Sequence, residues 1–514
     1  MLRRSLLALG TVASCAALLA ACNSVTGVND LTVAGGTGSS GNPTGNGGNG
    51  GTGSGTGGDV PPAPVLVPAQ GVSIQEIAIY QGVKRSLMGG TPSTSGIVVP
   101  VVAGRPALLR VFVTTDATYD KTPVTARLSI GQGPAIEVTG IVSDSNEASL
   151  GSTVNFEIPA ERMTAGAAFR VDLQQPSDHS TGVNGAAIYP ESGTAPLDVA
   201  SDGMQLKVKL VPVKYGADGS NRLPDTSQEQ IDGYKKYFFS TYPAANVEIT
   251  LRNAMSWNQT IDPNGFGWGE ILDAVANLRQ QDKAPADVYY FGIFNPDPTF
   301  DQFCAQGCVA GLGMVGSPND SYSRAAVGIG YPGDMAWTTA IHEIGHTQGR
   351  NHAPCGGAQG VDPGFPYKTG GIGAWGYDIV AKALIDPKQG KDLMGYCDPY
   401  WISDYTYKAI FDRMKIVNKA DVVVPDALKN LDWERARVDG DGKLTWLSSV
   451  NMERPPMGEP TPVVEQRAGS ATIVDGQFFP YDHLPGGVLL WPKAKAPVSG
   501  IQVTLKGKVS TLKR

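Results

Sequence analysis

Residues 342–352 read HEIGHTQGRNH. The chain of 514 residues holds five histidines, and His342, His346 and His352 all fall in this one stretch. Upstream, Asp334 can cap a helix beginning near Met335, on which Trp337, Ile341 and Ile344 form one apolar stripe. His342 and His346, four apart, project from the same face one turn from each other, so two imidazole nitrogens can reach one metal ion. Glu343 follows the first histidine, where it can hydrogen-bond a metal-held water rather than bind the metal. Gly349 can take a left-handed conformation, end the helix and turn the chain, so that His352 returns as a third ligand. Three neutral nitrogen donors leave a fourth position open, as a catalytic zinc site requires and a structural one does not.

Around this stretch, residues 204–422 alternate between strand and helix patterns. LKVKLVPV and NVEITLR read as strands, and ADVYYFGIF is a nearly continuous apolar strand of the doubly buried kind. TSQEQIDGYKKYFFSTYP opens with Thr226 three residues before Glu229, a capping box, and carries Ile231, Tyr234 and Phe238 on one face. WGEILDAVANLRQQ is a second helix; VAGLGMVG (309–316) and AAVGIGY are further strands. The expected fold is an α/β (α+β) domain with a mixed sheet. Residues 65–203 carry short alternating runs, among them ALLRVFVTT, VTARLSIG, VNFEIP and FRVDLQ, with no amphipathic helix between them; an immunoglobulin-like β-sandwich is expected. Residues 423–514, with ATIVDG, GVLLWP and IQVTLKGKV, predict a small C-terminal β domain.

The chain begins MLRRSLLALGTVASCAALLAAC, with Arg3 and Arg4, an apolar run and small residues ending at Cys22. Residues 1–22 thus read as a secretory signal, and Leu19-Ala20-Ala21-Cys22 resembles a bacterial lipobox that marks Cys22 for lipidation. Residues 23–64 are rich in Gly, Ser and Thr, have almost nothing to bury and predict a flexible tether. Anchor and tether together predict an exported lipoprotein held to a membrane, at the outer membrane or cell surface. Beyond Cys15 and Cys22, the four cysteines Cys304, Cys308, Cys355 and Cys397 suit two disulfides in an oxidising compartment. Three pairings are open; Cys304–Cys308 with Cys355–Cys397 is the one expected. A net charge of −7 argues against nucleic acid as a partner.

The pattern H-E-x-x-H-x-x-G-x-x-H resembles the signature of the metzincin clan of zinc endopeptidases, matched by His342, Glu343, His346, Gly349 and His352. The resemblance covers the catalytic region alone. It implies Zn2+ as cofactor, Glu343 as general base, and a methionine beneath the ligands, for which DLMGYCDP offers Met394. Tyr396, two residues on, matches the tyrosine that astacins and serralysins place beside the zinc. The residue after the third histidine is Glu in astacins, Pro in serralysins and Asp in adamalysins; here it is Ala353, which fits none of them. The general likeness is to exported bacterial metzincins in which a β domain precedes the catalytic one, some of which cleave mucin-like O-glycoproteins. A polypeptide or glycoprotein substrate is implied, pairing as an extended strand with an edge strand at Val309–Gly316, whose glycines would admit another backbone.

Two other classes compete: a surface adhesin or glycan-binding lipoprotein with a non-catalytic zinc domain, and a metallo-amidase acting on cell-wall peptides. DGDGKL (439–444) lacks the later ligands of a calcium loop and reads as a hairpin turn. His179 and His483 are isolated in sequence and read as ordinary surface or loop residues.

Overall fold

The computed structural model describes residues 64–90, 95–200, 204–419, 425–505 and 507–514. Cys22, the signal and nearly all of the tether lie outside these residues. No described helix is long and apolar enough to cross a membrane. The architecture is mixed and sheet-rich, in three layers of sequence that share cores with one another.

Residues 64–90 and 95–200 form two packed antiparallel sheets with one core between them and, among these described residues, single 3-10 turns as their helical elements. ALLRVFVTT is the strand Ala107–Thr115, with Leu109, Val111 and Val113 facing that core. The alternating run predicts a half-buried strand, yet its other face is covered too. Leu108 and Phe112 pack with Tyr80 against Tyr377 of the central domain. Arg110, on that covered face, is fully buried and keeps its charge solvated by donating to the carbonyls of Glu147 at 3.0 Å and Ser149 at 2.9 Å.

The central domain carries a mixed sheet in the spatial order Asn246–Leu251, Gln205–Tyr215, Val288–Phe294, Ala325–Ile329, Gly311–Gly313. The first four strands are parallel, and Gly311–Gly313 runs antiparallel at the edge. Both faces are buried, which explains the unbroken apolar run Val288–Phe294. Leu206, Val208 and Leu210 face the helices Gln228–Thr241, Asp334–Thr347 and Asp404–Asn418. Val211, Val213 and Tyr215 face the helix Trp268–Gln281.

Two cap assignments shift by one residue. The helix Gln228–Thr241 is capped by Ser227, whose hydroxyl accepts from the Gln230 N–H at 3.3 Å, not by Thr226. The Asp225 carboxylate accepts the Ser227 N–H at 2.8 Å, so the turn is completed one residue later and Glu229 falls out of the box. Likewise Gly333, at φ 98, precedes the helix Asp334–Thr347, and Asp334 is its first residue. Its carboxylate accepts the Tyr237 hydroxyl at 2.9 Å while still lying at the positive end of the helix.

Residues 431–513 form one antiparallel sheet of seven strands. GVLLWP is the strand Gly487–Pro492, and IQVTLKGKV spans a hairpin of Gly500–Leu505 with Lys508–Lys513. Asp439–Leu444 is a hairpin turn in which Asp439 Oδ1 accepts from the N–H groups of Asp441 and Lys443. One face of this sheet has its own core, while Trp433, Phe479, Tyr481 and Leu490 enter the core around the helix Trp268–Gln281. The C-terminal sheet is therefore docked on the central domain through shared apolar burial.

Candidate metal centre

The helix Asp334–Thr347 buries Ile341 and Ile344 in the core with Trp337 at its margin, which fixes the rotation that turns His342 and His346 to one side. Gly349, at φ 79, ends it: the Gly349 N–H donates to His346 O at 2.7 Å and the Arg350 N–H to Gly345 O at 3.1 Å. That pair of bonds is a Schellman stop, and it returns the chain so that His352 joins the other two. Ring centroids lie 4.8 Å apart for His342 and His346, 5.2 Å for His342 and His352, and 4.6 Å for His346 and His352.

Each imidazole is held by a backbone carbonyl at Nδ1. His342 faces Leu393 O at 2.7 Å, His346 faces Arg350 O at 2.7 Å, and His352 faces Gln359 O. A carbonyl can only accept, so each Nδ1 carries the proton and each Nε2 presents a bare lone pair. The Nε2 atoms of His342 and His346 nevertheless sit 3.1 Å apart. Two acceptors at that distance repel unless a cation or a proton lies between them. Burial holds His342 and His346 below the usual imidazole range, aided at His342 by the neighbouring histidines. Burial and the nearby His346 bring His352 to about 4. A proton is thus disfavoured, and a buried metal ion fits the donor set; donors on a tetrahedral ion at ~2.0–2.1 Å stand ~3.3 Å apart.

Met394 lies beneath the ligands. A Cβ built on Gly345 would meet its sulfur at 2.4 Å, so the glycine inside the motif makes room for the methionine. Asp392, fully buried, shapes this turn by accepting the N–H groups of Met394 at 2.8 Å and Ser403 at 2.9 Å. Ala353 donates its N–H to Met394 O at 2.9 Å and is itself fully buried. The disulfide Cys355–Cys397 ties the segment after His352 to the segment after Met394. Cys304–Cys308 closes a small loop before the edge strand. Tyr396, 48 % exposed, donates its hydroxyl to His352 Nε2 at 3.0 Å. Burial, then Glu343 and Asp482, raise its pKa, so the hydroxyl keeps its proton.

The edge strand within Val309–Gly316 is only Gly311–Gly313, and its glycines serve a purpose other than the one expected. A Cβ on Gly311 would come within 2.3 Å of Glu343 Oε1, and one on Gly313 within 3.1 Å of the His346 Cβ. They clear space for the helix and its acid, with the backbone edge still facing outward.

Sequence reasoning missed Asp482 and His483. They sit in the turn joining the C-terminal strands Ser470–Pro480 and Gly487–Pro492. The Asp482 side chain is fully buried, with Oδ2 3.1 Å from His346 Nε2 and also bonded to His483 Nδ1. Its donor oxygen lies within 4.8 Å of the donor atoms of Glu343 and His346, and separately of His352 and His483. Glu343, also buried, has one carboxylate oxygen, Oε2, without a partner among the described residues. Burial, reinforced by Asp482, pushes Glu343 well above the usual carboxylate range. Burial opposes the charge on Asp482 too, while the bonds it accepts from His483 Nδ1 and the Gly313 N–H favour it. His483 is therefore a member of the site, not an isolated loop residue; His179 lies at the surface with Asp120. The one available signal was scarcity: four of the five histidines of the chain meet here.

No protein-family model matches this chain, and no curated protein matches it, so the site stands on its own chemistry.

Proposed function

We propose that the chain is a metzincin-like zinc endopeptidase acting on extracytoplasmic polypeptides, glycoproteins among them. The observation that carries this reading is the set of three convergent Nε2 atoms, their Nδ1 atoms held by carbonyls, beside a buried carboxyl oxygen of Glu343 with no partner among the described residues. A zinc ion bound there supplies Lewis-acid polarisation of a carbonyl and a water of lowered pKa. Glu343, beside the histidines, would be held as a carboxylate by the ion's charge, take up a proton from water at Oε2 and pass it to the leaving amine nitrogen. Tyr396 offers its retained hydroxyl proton as a hydrogen bond to the carbonyl oxygen as charge builds on it. The edge strand would orient the substrate: Ala310 O accepts the Ile329 N–H inward, so Gly311 and Gly313 direct their backbone groups outward, and an extended peptide would pair with Gly311 and, in place of Asp482, with Gly313.

In this reading residues 204–422 are the catalytic domain, 65–203 an immunoglobulin-like module and 423–514 a C-terminal module. Cys22 is taken as the lipidated anchor of a chain held at the outer membrane or cell surface.

The test compares wild type with Glu343→Ala on unfolded and glycosylated proteins, with zinc measured in both. Cleavage by wild type, a loss of at least about 10³-fold in the variant and equal zinc content are expected. Zinc retention without cleavage would instead favour an adhesin or glycan-binding role, and cleavage confined to cell-wall peptides a metallo-amidase.

A further inference from the structure

The turn Tyr481–Gly486 lies where a substrate would. Met314, next to the edge strand, forms an antiparallel bridge with Tyr481. The Asp482 N–H donates to Gly313 O at 3.3 Å, and the Gly313 N–H donates to Asp482 Oδ1 at 3.1 Å. The outward backbone groups of Gly313 are thereby occupied by the chain itself. From this position Asp482 sends Oδ2 to the bare lone pair of His346 Nε2. That contact repeats the 3.1 Å spacing of His342 and His346, and a metal ion or a proton on His346 Nε2 can span it, a choice the cobalt experiment below decides. The carboxylate stands on the side of His346 and His352, within reach of Glu343, which is the space an attacking water needs.

The turn is also anchored away from the centre. Tyr481 is buried against Gly269, where a Cβ would come within 2.8 Å of its hydroxyl, and Leu484 fills the space over Gly265, at 2.9 Å from a Cβ there. These contacts hold the turn in the cleft independently of any metal.

We propose that Asp482 is a fourth metal ligand supplied by the C-terminal domain, and that the chain keeps its own centre closed until this turn leaves the edge strand. The inference rests on the metal-dependent endopeptidase reading for its consequence, but the ligand assignment has readouts of its own. A closed site of three histidines and a carboxylate has no position for water. Displacing the turn frees in one movement the edge strand, the fourth position and the space in front of Glu343.

The experiment uses the full chain loaded with Co2+, as wild type, Asp482→Ala and Asp482→Asn. The asparagine keeps the volume and the acceptor for the Gly313 N–H, so it reports even if the alanine variant fails to fold. Three quantities are read: the visible absorption of the bound cobalt, metal retention against a chelator, and cleavage of an unfolded protein. Expected are an altered cobalt spectrum, retention weaker by roughly 10–100-fold, and cleavage faster than wild type by at least about 10-fold. Identical spectra with equal retention overturn the ligand assignment. Altered spectra with cleavage no faster than an already active wild type overturn the closure. Altered spectra with no cleavage by any variant leave the ligand in place and refute the endopeptidase reading instead.

Discussion

Gly311→Ala isolates the placement of Glu343 from the holding of the metal. The added Cβ would lie 2.3 Å from Glu343 Oε1 and 2.5 Å from its Cγ. Ordinary contact needs about 3.5 Å, so the acid must withdraw by roughly 1 Å. Two opposing effects act on stability. Alanine restricts the unfolded chain more than glycine, worth about 0.5–1 kcal/mol, whereas crowding a packed site costs about 1–3 kcal/mol. The net result lies between no change and a loss of ~2.5 kcal/mol, a shift in Tm of a few degrees. The effect on chemistry is far larger, because a catalytic group misplaced by ~1 Å can lose about 10²-fold in rate. Steady-state kinetics on an unfolded protein substrate, with Tm and bound metal measured on the same samples, separates the two. With Glu343 as the proposed base and not a ligand, kcat should fall by about 10²-fold with metal content unchanged. A variant with full metal and kcat within about 3-fold of wild type would refute the claim that this glycine sets the position of the base.

Two further outcomes follow from the same geometry. Tyr396→Phe removes the hydroxyl 3.0 Å from His352 Nε2 and should lower kcat by about 10²-fold at similar KM, while an equal fall in zinc affinity would make the tyrosine a holder of the ligand instead. In metal-free protein, an unfolded histidine takes a proton near 6.5, whereas His352 in the fold resists until about 4 and burial also lowers His342 and His346. Between those values the unfolded state binds more protons, so stability falls as the pH drops through that window. Thermal melts of metal-free wild type and His352→Gln compared from pH 8 to 4 should show wild type losing more stability below 6.5; parallel profiles would show that this ring does not resist protonation.

The parts of the site legible in sequence are those set by local geometry. The four-residue spacing of His342 and His346, the left-handed Gly349 and the nearby return of His352 all follow from helix period and one turn. The strand Val288–Phe294 was readable because burial on both faces writes a continuous apolar run. Helix starts were less so, since Thr226 and Ser227 are both competent caps and Asp225, by holding the Ser227 N–H, decided between them. Burial of Ala107–Thr115 on its second face depends on Tyr377, far along the chain, and no local pattern encodes it. Asp482 was invisible for the same reason: its partner Gly313 lies in another domain, and the bond exists only because Tyr481 and Leu484 dock there.

Arg105 has a consequence for reach. This arginine of the N-terminal sandwich is fully buried and donates to the carbonyls of Ala244 at 2.6 Å and Gln81 at 2.9 Å, and also to that of Phe239, so a single guanidinium joins the sandwich to the end of the helix Gln228–Thr241. Parting the two would break the cross-joint bonds to Ala244 and Phe239 together. Sandwich and cleft therefore turn as one body. A glycan or peptide gripped anywhere on the sandwich would be offered to the centre at a constant offset, like a workpiece in a jig. The distance from grip to cut would then be a property of the fold, the same for every substrate long enough to span it.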